Sequence, residues 1–576
     1  MPSLTRNEAD IRADLLRVRA YRVDLDLTAA ATSDRFESST TIEFSCSQPG
    51  ARTFVELKCV QLHEATLNGV RLEPDGLDDN RLPLTDLAAE NELVVRATME
   101  YSITGEGLHR FVDPEDGSVY LYAQTFLDDA QRIFACFDQP DLKAPFTLSV
   151  SAPAGWEVAG NGAGTPVAPG RWEFATTAPL ATYFVTVLAG PYHVRRDEHD
   201  GIPLALYCPR GLAAHLDKDV EELFGLTRAC LDRYHELFGF RYPFGKYDQA
   251  FVPEFNAGAM ENPGLVTFRD EFIFRSAVAE GDRERRAMVI AHEMAHMWFG
   301  DLVTMRWWDD LWLNESFAEY MGHRIVVEAT RFTGAWTSFA LARKAWGYAA
   351  DQRPSTHPVA PESVPDTAQA LLNFDGISYA KGAAVLRQLA VWIGDEAFIA
   401  GLRSHFQRHA FGNATLQDLL SSLAEASGRD LRGWSEVWLR RPQVNTLRPE
   451  ASVGPDGRYT SFDVVQTAPP AYPTLRPHRI GIGIYRGGKV AERVEVDLDP
   501  TVDQRRTPVP ALIGIHPGDL LLLNDGDYTY AKVRLDEVSR SRLAMVLPGL
   551  TDPLTRALVW AAALDAVRDG ETRSSE

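Results

Sequence analysis

The sequence predicts a multidomain α+β protein: an all-β region, a mainly helical region, a small β-sandwich, and the start of a further helical region. Three observations carry this. The chain has 576 residues, and at ~100–200 residues per domain that implies about three to five cores rather than one. Hydrophobic residues make up 45% and charged residues 24%, an ordinary globular balance. With 42 Gly, 34 Pro and five Cys spread thinly, this excludes a disordered chain, a collagen-like fibre and a disulfide-stapled miniprotein. Third, the apolar period changes along the chain, from two residues to the helical 3.6 and back to two.

Residues 1–190 form the expected N-terminal β domain. Tyr21, Val23, Leu25 and Leu27 alternate with Arg22, Asp24 and Asp26, the pattern of a half-buried strand. FTLSVSAP and TYFVTVLAG repeat that texture between Gly and Pro punctuation. Residues 191–442 read as mainly helical, with KDVEELFGLTRACLDRYHELFG, RRAMVIAHEMAHMWFG and the run after Leu311 as helices, and LALYCP and YDQAFVP as a small β portion. Strand texture returns over 443–550, with a hairpin expected at Gly487-Gly488 and another turn at Asp525-Gly526. A β-sandwich is the simplest container. In 551–576, Asp552 can cap a helix whose first turn suits Pro553. That helix runs to about Arg568 with Leu554, Leu558 and Ala561 on its apolar face, and is expected to dock on another domain or to self-associate. There is no internal repeat of 20–50 residues and no low-complexity tract.

A net charge of -22 repels phosphate backbones and anionic headgroups, so neither nucleic acid nor a membrane surface is an expected partner. Cys46, Cys59, Cys136, Cys208 and Cys230 are odd in number and contain no CxxC pair, which fits free thiols in a reducing compartment. The N-terminus carries charges where a signal peptide needs an apolar core. No stretch approaches the ~18–20 apolar residues of a span. A cytoplasmic location is the expectation.

The chemistry concentrates in His292-Glu293-Met294-Ala295-His296, inside a helix expected from about Asp282 to Gly300. Histidines four apart share a helix face, so His292 and His296 can offer two nitrogens to one zinc ion. Glu293 sits beside the pair, where it can take a proton from a zinc-activated water. Two histidines packed on a core would give the same pentapeptide. In WLNESFAE, however, Glu315 follows His296 by 19 positions and can complete a His, His, Glu set with an open fourth position, the arrangement of catalytic zinc. Glu319, one turn on, can accept the other ring N–H of a ligating histidine. A solvated helix face would also carry two glutamates, but these lie in an aromatic segment, and buried carboxylates need partners.

HEMAH and, after an 18-residue spacer, the Glu315 of NESFAEY resemble the gluzincin metallopeptidases of the aminopeptidase N type, in a bacterial, actinobacterial-like branch. The resemblance covers residues ~15–568 and includes VYLYAQ, FDQPDLKAPF, FNAGAMENPG and SYAKGAAVLRQL. It implies a saddle-like N-terminal β domain, a thermolysin-like catalytic domain and one Zn²⁺ ion. It also implies an exopeptidase loop, Gly258-Ala259-Met260-Glu261-Asn262, whose Glu261 binds the free α-amino group of a peptide. A carboxylate there makes a charge-assisted bond to an ammonium group, while flanking backbone aligns an extended peptide as an added strand. Tyr379 matches the family's catalytic tyrosine, a phenol that remains a donor at neutral pH and can stabilise an oxyanion.

Two departures accompany the resemblance. Where relatives carry Gln-x-Glu, this chain reads Gln124-Thr125-Phe126, keeping the amide but replacing the second amine-binding acid. Bacterial relatives also continue into a large helical domain at about the point where this sequence stops. The function expected is a zinc aminopeptidase acting on short peptides with a free N-terminus. The alternatives are a specialised amide hydrolase or biosynthetic peptidase, and an idle peptide-binding homologue.

Overall fold

A computed structural model of the chain describes residues 2–73, 76–499 and 505–573. The chain forms two compact units, the first from residues 1–308, 364–371 and 406–415, the second from 309–363, 372–405 and 416–576.

The first unit opens with a helix that the strand reading of this region did not anticipate, α1 (Arg6–Leu15). Thr5 and Glu8 close a reciprocal capping box around its start. Arg12 is buried, with bonds of 2.9 and 2.8 Å to the two Glu56 oxygens and one of 2.5 Å to Gln139. Removing one partner there would strand a buried charge. Leu16–Asp26 pairs parallel with Phe146–Ser151 and antiparallel with Arg35–Cys46 inside an eight-stranded sheet. The alternation read from the sequence buries Tyr21, Val23, Leu25 and Leu27, and Tyr21 stacks on Phe146 at 4.4 Å. TYFVTVLAG is only half a strand. Thr182–Phe184 is a 3-10 turn and the strand is Val187–Gly190, because the Thr182 hydroxyl is drawn to buried Asp138 at 2.6 Å.

A five-stranded sheet follows in the order His193–His199, Ile202–Cys208, Tyr247–Val252, Leu265–Arg269, Ala259–Met260. Its three middle strands run parallel, and α2 (Ala213–Phe238) supplies the crossover between the first two of them. α2 ends at Gly239, whose φ of +61° suits the left-handed cap. α3 (Glu280–His296) carries the histidine motif. It stops at His296 rather than at the expected Gly300. Beyond it the backbone widens, with Asp301 N–H bonded to His296 C=O at 3.0 Å and Leu302 N–H to Met297 C=O at 3.2 Å.

The second unit begins with α4 (Leu311–Ala329), buried continuously from Leu311 to Val326, and includes α5 (Lys344–Asp351) and α6 (Gly382–Ile393). Its β portion is a sandwich. Arg506–Pro508, Tyr459–Thr467, Asn445–Val453 and Ala531–Val533 form one sheet, and Lys489–Leu498, His478–Arg486 and Leu520–Leu523 the other. Ile480, Ile482 and Ile484 meet Leu447, Phe462 and Val464 in its core. The hairpin at Gly487-Gly488 is present, with φ of +55° and +77°. The turn at Asp525-Gly526 instead passes the chain from one sheet to the other.

α7 (Pro553–Arg568) starts where expected, with Asp552 accepting from Thr555 N–H at 2.8 Å. Leu554, Leu558 and Ala561 are half-buried, while the residues buried outright include Thr555, Val559, Ala562 and Ala566. The sandwich core takes Ala562 and a satellite cluster takes Val559, with half-buried Leu558 packed against that cluster. Residues 500–504 of the expected sandwich and the tail past Arg573 lie outside the described residues. All five cysteines are unbridged. Among the described residues no helix is long and apolar enough to cross a membrane.

Candidate metal and substrate site

In the first unit, α3 holds its motif rigidly. The Asp282 carboxylate accepts Ala279 N–H at 3.1 Å at the helix start. Buried Arg286 ties α3 to α2 through Asp219 at 2.6 Å and Glu222 at 2.5 Å, and the Tyr234 hydroxyl donates to Ala291 C=O at 2.7 Å. His292, Glu293 and His296 are all buried.

The two Nε2 atoms of His292 and His296 face each other at 3.2 Å. Two zinc–nitrogen bonds of ~2.0–2.1 Å at a tetrahedral angle place their nitrogens about 3.3 Å apart, so the pair fits one zinc ion. His296 Nδ1 lies 3.2 Å from Phe299 C=O. Donation to that carbonyl puts the proton on Nδ1 and leaves Nε2 as a lone pair for metal.

The Gly258–Asn262 loop lies in the same unit. Ala259–Met260 is the edge strand of the five-stranded sheet, paired antiparallel with Leu265–Arg269. Arg269 holds the preceding chain by bonds to Phe255 and Ala257 carbonyls, and the Asn262 amide donates to Thr267 at 3.3 Å. Gly264, at φ +79°, approaches the Asn161 carbonyl so closely that a Cβ has no room. Glu261 is buried and lies 4.0 Å from His296 Nδ1. One ligand atom each from Glu261, Glu293 and His296 lie within 4.8 Å of one another.

Gln124 ends the strand Val119–Gln124 with its Oε1 buried and lacking a hydrogen-bond partner among the described residues. Phe126 is half-buried, edge-on to Tyr183 at 5.3 Å and Trp308 at 5.7 Å. Nearby acids are already engaged: Asp128 accepts from Thr367 at 2.6 Å and Asp129 pairs with Arg132. Burial, opposed by Arg132, pushes Asp129 up to about 6.

Two groups here escaped the sequence reading. Asp301 is fully buried, and neither of its carboxylate oxygens has a hydrogen-bond partner among the described residues. Burial first, then the charge of Glu261, raises it well above the carboxylate range. Lys143 donates to Asp301 C=O at 2.8 Å, and burial pulls it down to about 7 against the attraction of Asp301. Only a buried position distinguishes them, and nothing in GDLV or DLKA shows that from sequence.

In the second unit, Glu315 and Glu319 are buried on α4. Both Glu319 oxygens bind Arg343, at 2.6 and 2.8 Å. Burial works most strongly against the Arg343 charge, but Glu319 and the other negative groups around it together outweigh burial and raise the guanidinium. The Ser316 hydroxyl donates to Ser378 C=O at 2.5 Å. Tyr379 lies on a wide helical turn, Ile377–Lys381, started by Asp375 accepting Ile377 N–H at 2.8 Å. Lys381 closes it through a fully buried bridge to Asp351 at 2.9 Å. Tyr379 is half-buried, with Trp346 at 6.1 Å and Phe374 at 6.3 Å.

Residues 19–184 match the peptidase M1 N-terminal domain and residues 223–438 the peptidase family M1 domain. The chain is 48% identical to aminopeptidase N of Streptomyces lividans over 99% of its own length and 68% of that protein. It is 32% identical to the mitochondrial aminopeptidase 2 of Saccharomyces cerevisiae over 75% of the chain and 47% of that protein. It is 30% identical to the glutamyl aminopeptidase of Mus musculus over 73% and 47%. The chain thus spans about two thirds of the first relative's length and about half of the other two.

Proposed function

The chain belongs to peptidase family M1, and from that premise we propose that it is a zinc-dependent aminopeptidase releasing the N-terminal residue of short peptides. The observation that carries this reading is the facing Nε2 pair of His292 and His296, 3.2 Å apart, with two buried carboxylates, Glu261 and Glu293, beside it.

The ligand set of the proposal is His292, His296 and Glu315, all of them buried ligand-type side chains. A zinc ion bound by them supplies Lewis acidity toward the scissile carbonyl and makes a water deprotonable near neutral pH. Glu293 takes the proton from the attacking water and passes it to the leaving amine. Glu261 accepts hydrogen bonds from the substrate ammonium, while the edge strand Ala259–Met260 and its neighbours Gly258 and Asn262 align the peptide backbone. The Oε1 of Gln124, without a hydrogen-bond partner among the described residues, is a second acceptor for that ammonium. The Tyr379 phenol donates to the carbonyl oxygen as negative charge develops on it.

A narrower reading, an amide hydrolase with a non-standard substrate, draws support from Phe126. The resemblance puts an acid at this position in relatives, and here Asp128 and Asp129 are bonded to Thr367 and Arg132.

The test is metal content together with turnover of aminoacyl arylamides. The wild-type chain should hold one zinc ion and lose activity to a chelator. His292→Ala should lose both metal and turnover. A fully loaded His292→Ala protein would remove the ligand assignment, and turnover indifferent to chelator would remove the metallopeptidase reading.

A further inference from the structure

We infer that Arg343 is a positioning residue that sets the Tyr379 phenol from the helix carrying Glu315; this rests on the reading of Tyr379 above. Arg343 and Tyr379 each lie on a wide five-residue helical turn, Phe339–Arg343 and Ile377–Lys381. Such turns interrupt a helix where side chains must be re-aimed. The helix that continues from the first turn, α5 (Lys344–Asp351), packs on the second through glycines. A Cβ on Gly376 would come within 2.8 Å of Trp346 C=O, and one on Gly347 within 3.3 Å of both Ala380 Cβ and Gly376 C=O.

The Arg343 guanidinium is not a free surface charge. Its Nε and one terminal nitrogen form a two-pronged bond to Glu319, which is 1% exposed and one turn beyond Glu315. A planar fork held at both prongs has little rotational freedom left. Its remaining face lies 4.7 Å from the Trp346 ring centre and 6.0 Å from that of Tyr379, and the two rings are themselves 6.1 Å apart. The phenol is therefore walled by a cation–aromatic stack whose orientation is dictated by a buried carboxylate of α4. Ser316 fixes the backbone of the same turn through Ser378 C=O. α4 thus grips the tyrosine turn twice, once by its backbone and once by its ring.

The experiment compares Arg343→Met and Arg343→Lys in the wild-type and Tyr379→Phe backgrounds, measuring kcat, KM and zinc content with an aminoacyl arylamide. Arg343→Met should lower kcat ~10- to 100-fold, the scale of a sub-ångström to 1 Å misplacement of a reacting group. KM should stay within about 3-fold and zinc should be retained. Arg343→Lys should recover part of the loss, because charge returns without the fork. In the Tyr379→Phe background Arg343→Met should cost nothing further, since the group it positions is gone. Equal losses in both backgrounds, a loss confined to KM, or no loss at all would overturn the inference. A Tyr379→Phe single variant with normal kcat would instead overturn the reading of Tyr379 itself, and the inference with it.

Discussion

Gly382→Ala should loosen the tyrosine turn although the new methyl group touches neither metal ligands nor substrate groups. Gly382 is the first residue of α6, in helical conformation at φ -58°, ψ -45°, so alanine would by propensity gain up to about 1 kcal/mol. Packing reverses the sign. The added Cβ would fall inside the van der Waals radius of Ser316 Oγ, 2.7 Å from Ser316 Cβ and 3.5 Å from Val359, against the ~3.5–4.0 Å of a good carbon contact. Relief requires a shift of about 1 Å or expulsion of the hydroxyl, which breaks its 2.5 Å bond to Ser378 C=O. Overpacking costs ~1–3 kcal/mol and the lost bond about 1 kcal/mol. Less the propensity gain, the net loss is ~1–3 kcal/mol. The assay is the apparent urea midpoint of the zinc-loaded protein, alongside kcat. Both should fall in Gly382→Ala, and the penalty should shrink when Ser316→Gly opens the space. A variant as stable and active as wild type, or an equal penalty in both backgrounds, would refute the argument.

Glu293→Gln should keep zinc yet lower kcat by ~10²- to 10⁴-fold, and Tyr379→Phe should lower it ~10²- to 10³-fold; near-normal rates in either would mean the role is misassigned. Phe126→Glu gives up two edge-to-face contacts, with Tyr183 and Trp308, at ~0.5–1.5 kcal/mol each. It should nevertheless lower KM for aminoacyl arylamides by ~10- to 100-fold through a restored charge-assisted bond, and an unchanged KM would move Phe126 away from the amine. His478 is fully buried, with Nδ1 2.8 Å from Thr529 Oγ1, and burial, reinforced by Arg476, lowers it to about 3. The unfolded chain, with an ordinary imidazole near ~6.5, binds one more proton than the folded chain between those values. His478 therefore makes stability fall by about 1.4 kcal/mol per pH unit as pH drops below ~6.5. His478→Gln should flatten the urea midpoint's pH dependence over pH 6.5–4.5, and an unaltered slope would show that His478 is not its source.

Much of this protein was legible in the sequence because the signals are local. The period-two alternation of Tyr21–Leu27 becomes a strand that buries Tyr21, Val23, Leu25 and Leu27. The two glycines at 487–488 turn a hairpin, and Asp552 caps α7. The four-residue spacing of His292 and His296 puts both rings on one side of α3 with their Nε2 atoms 3.2 Å apart, since a helix repeats about every 3.6 residues whatever surrounds it. What packs against an element has no such local rule. The apolar stripe of α7 named only part of its docked face: Leu558 packs on a core cluster, but the residues buried outright include Thr555, Val559, Ala562 and Ala566. Both oxygens of Glu319 accept from Arg343, 24 positions away, a partner that no local spacing shows. Nothing local to GDLV marks Asp301 as a buried acid without a hydrogen-bond partner among the described residues. Local spacing thus determined which residues could do chemistry. Only the tertiary structure decided which charges are paired, buried or held against a ring, because those energies arise between segments distant in the chain.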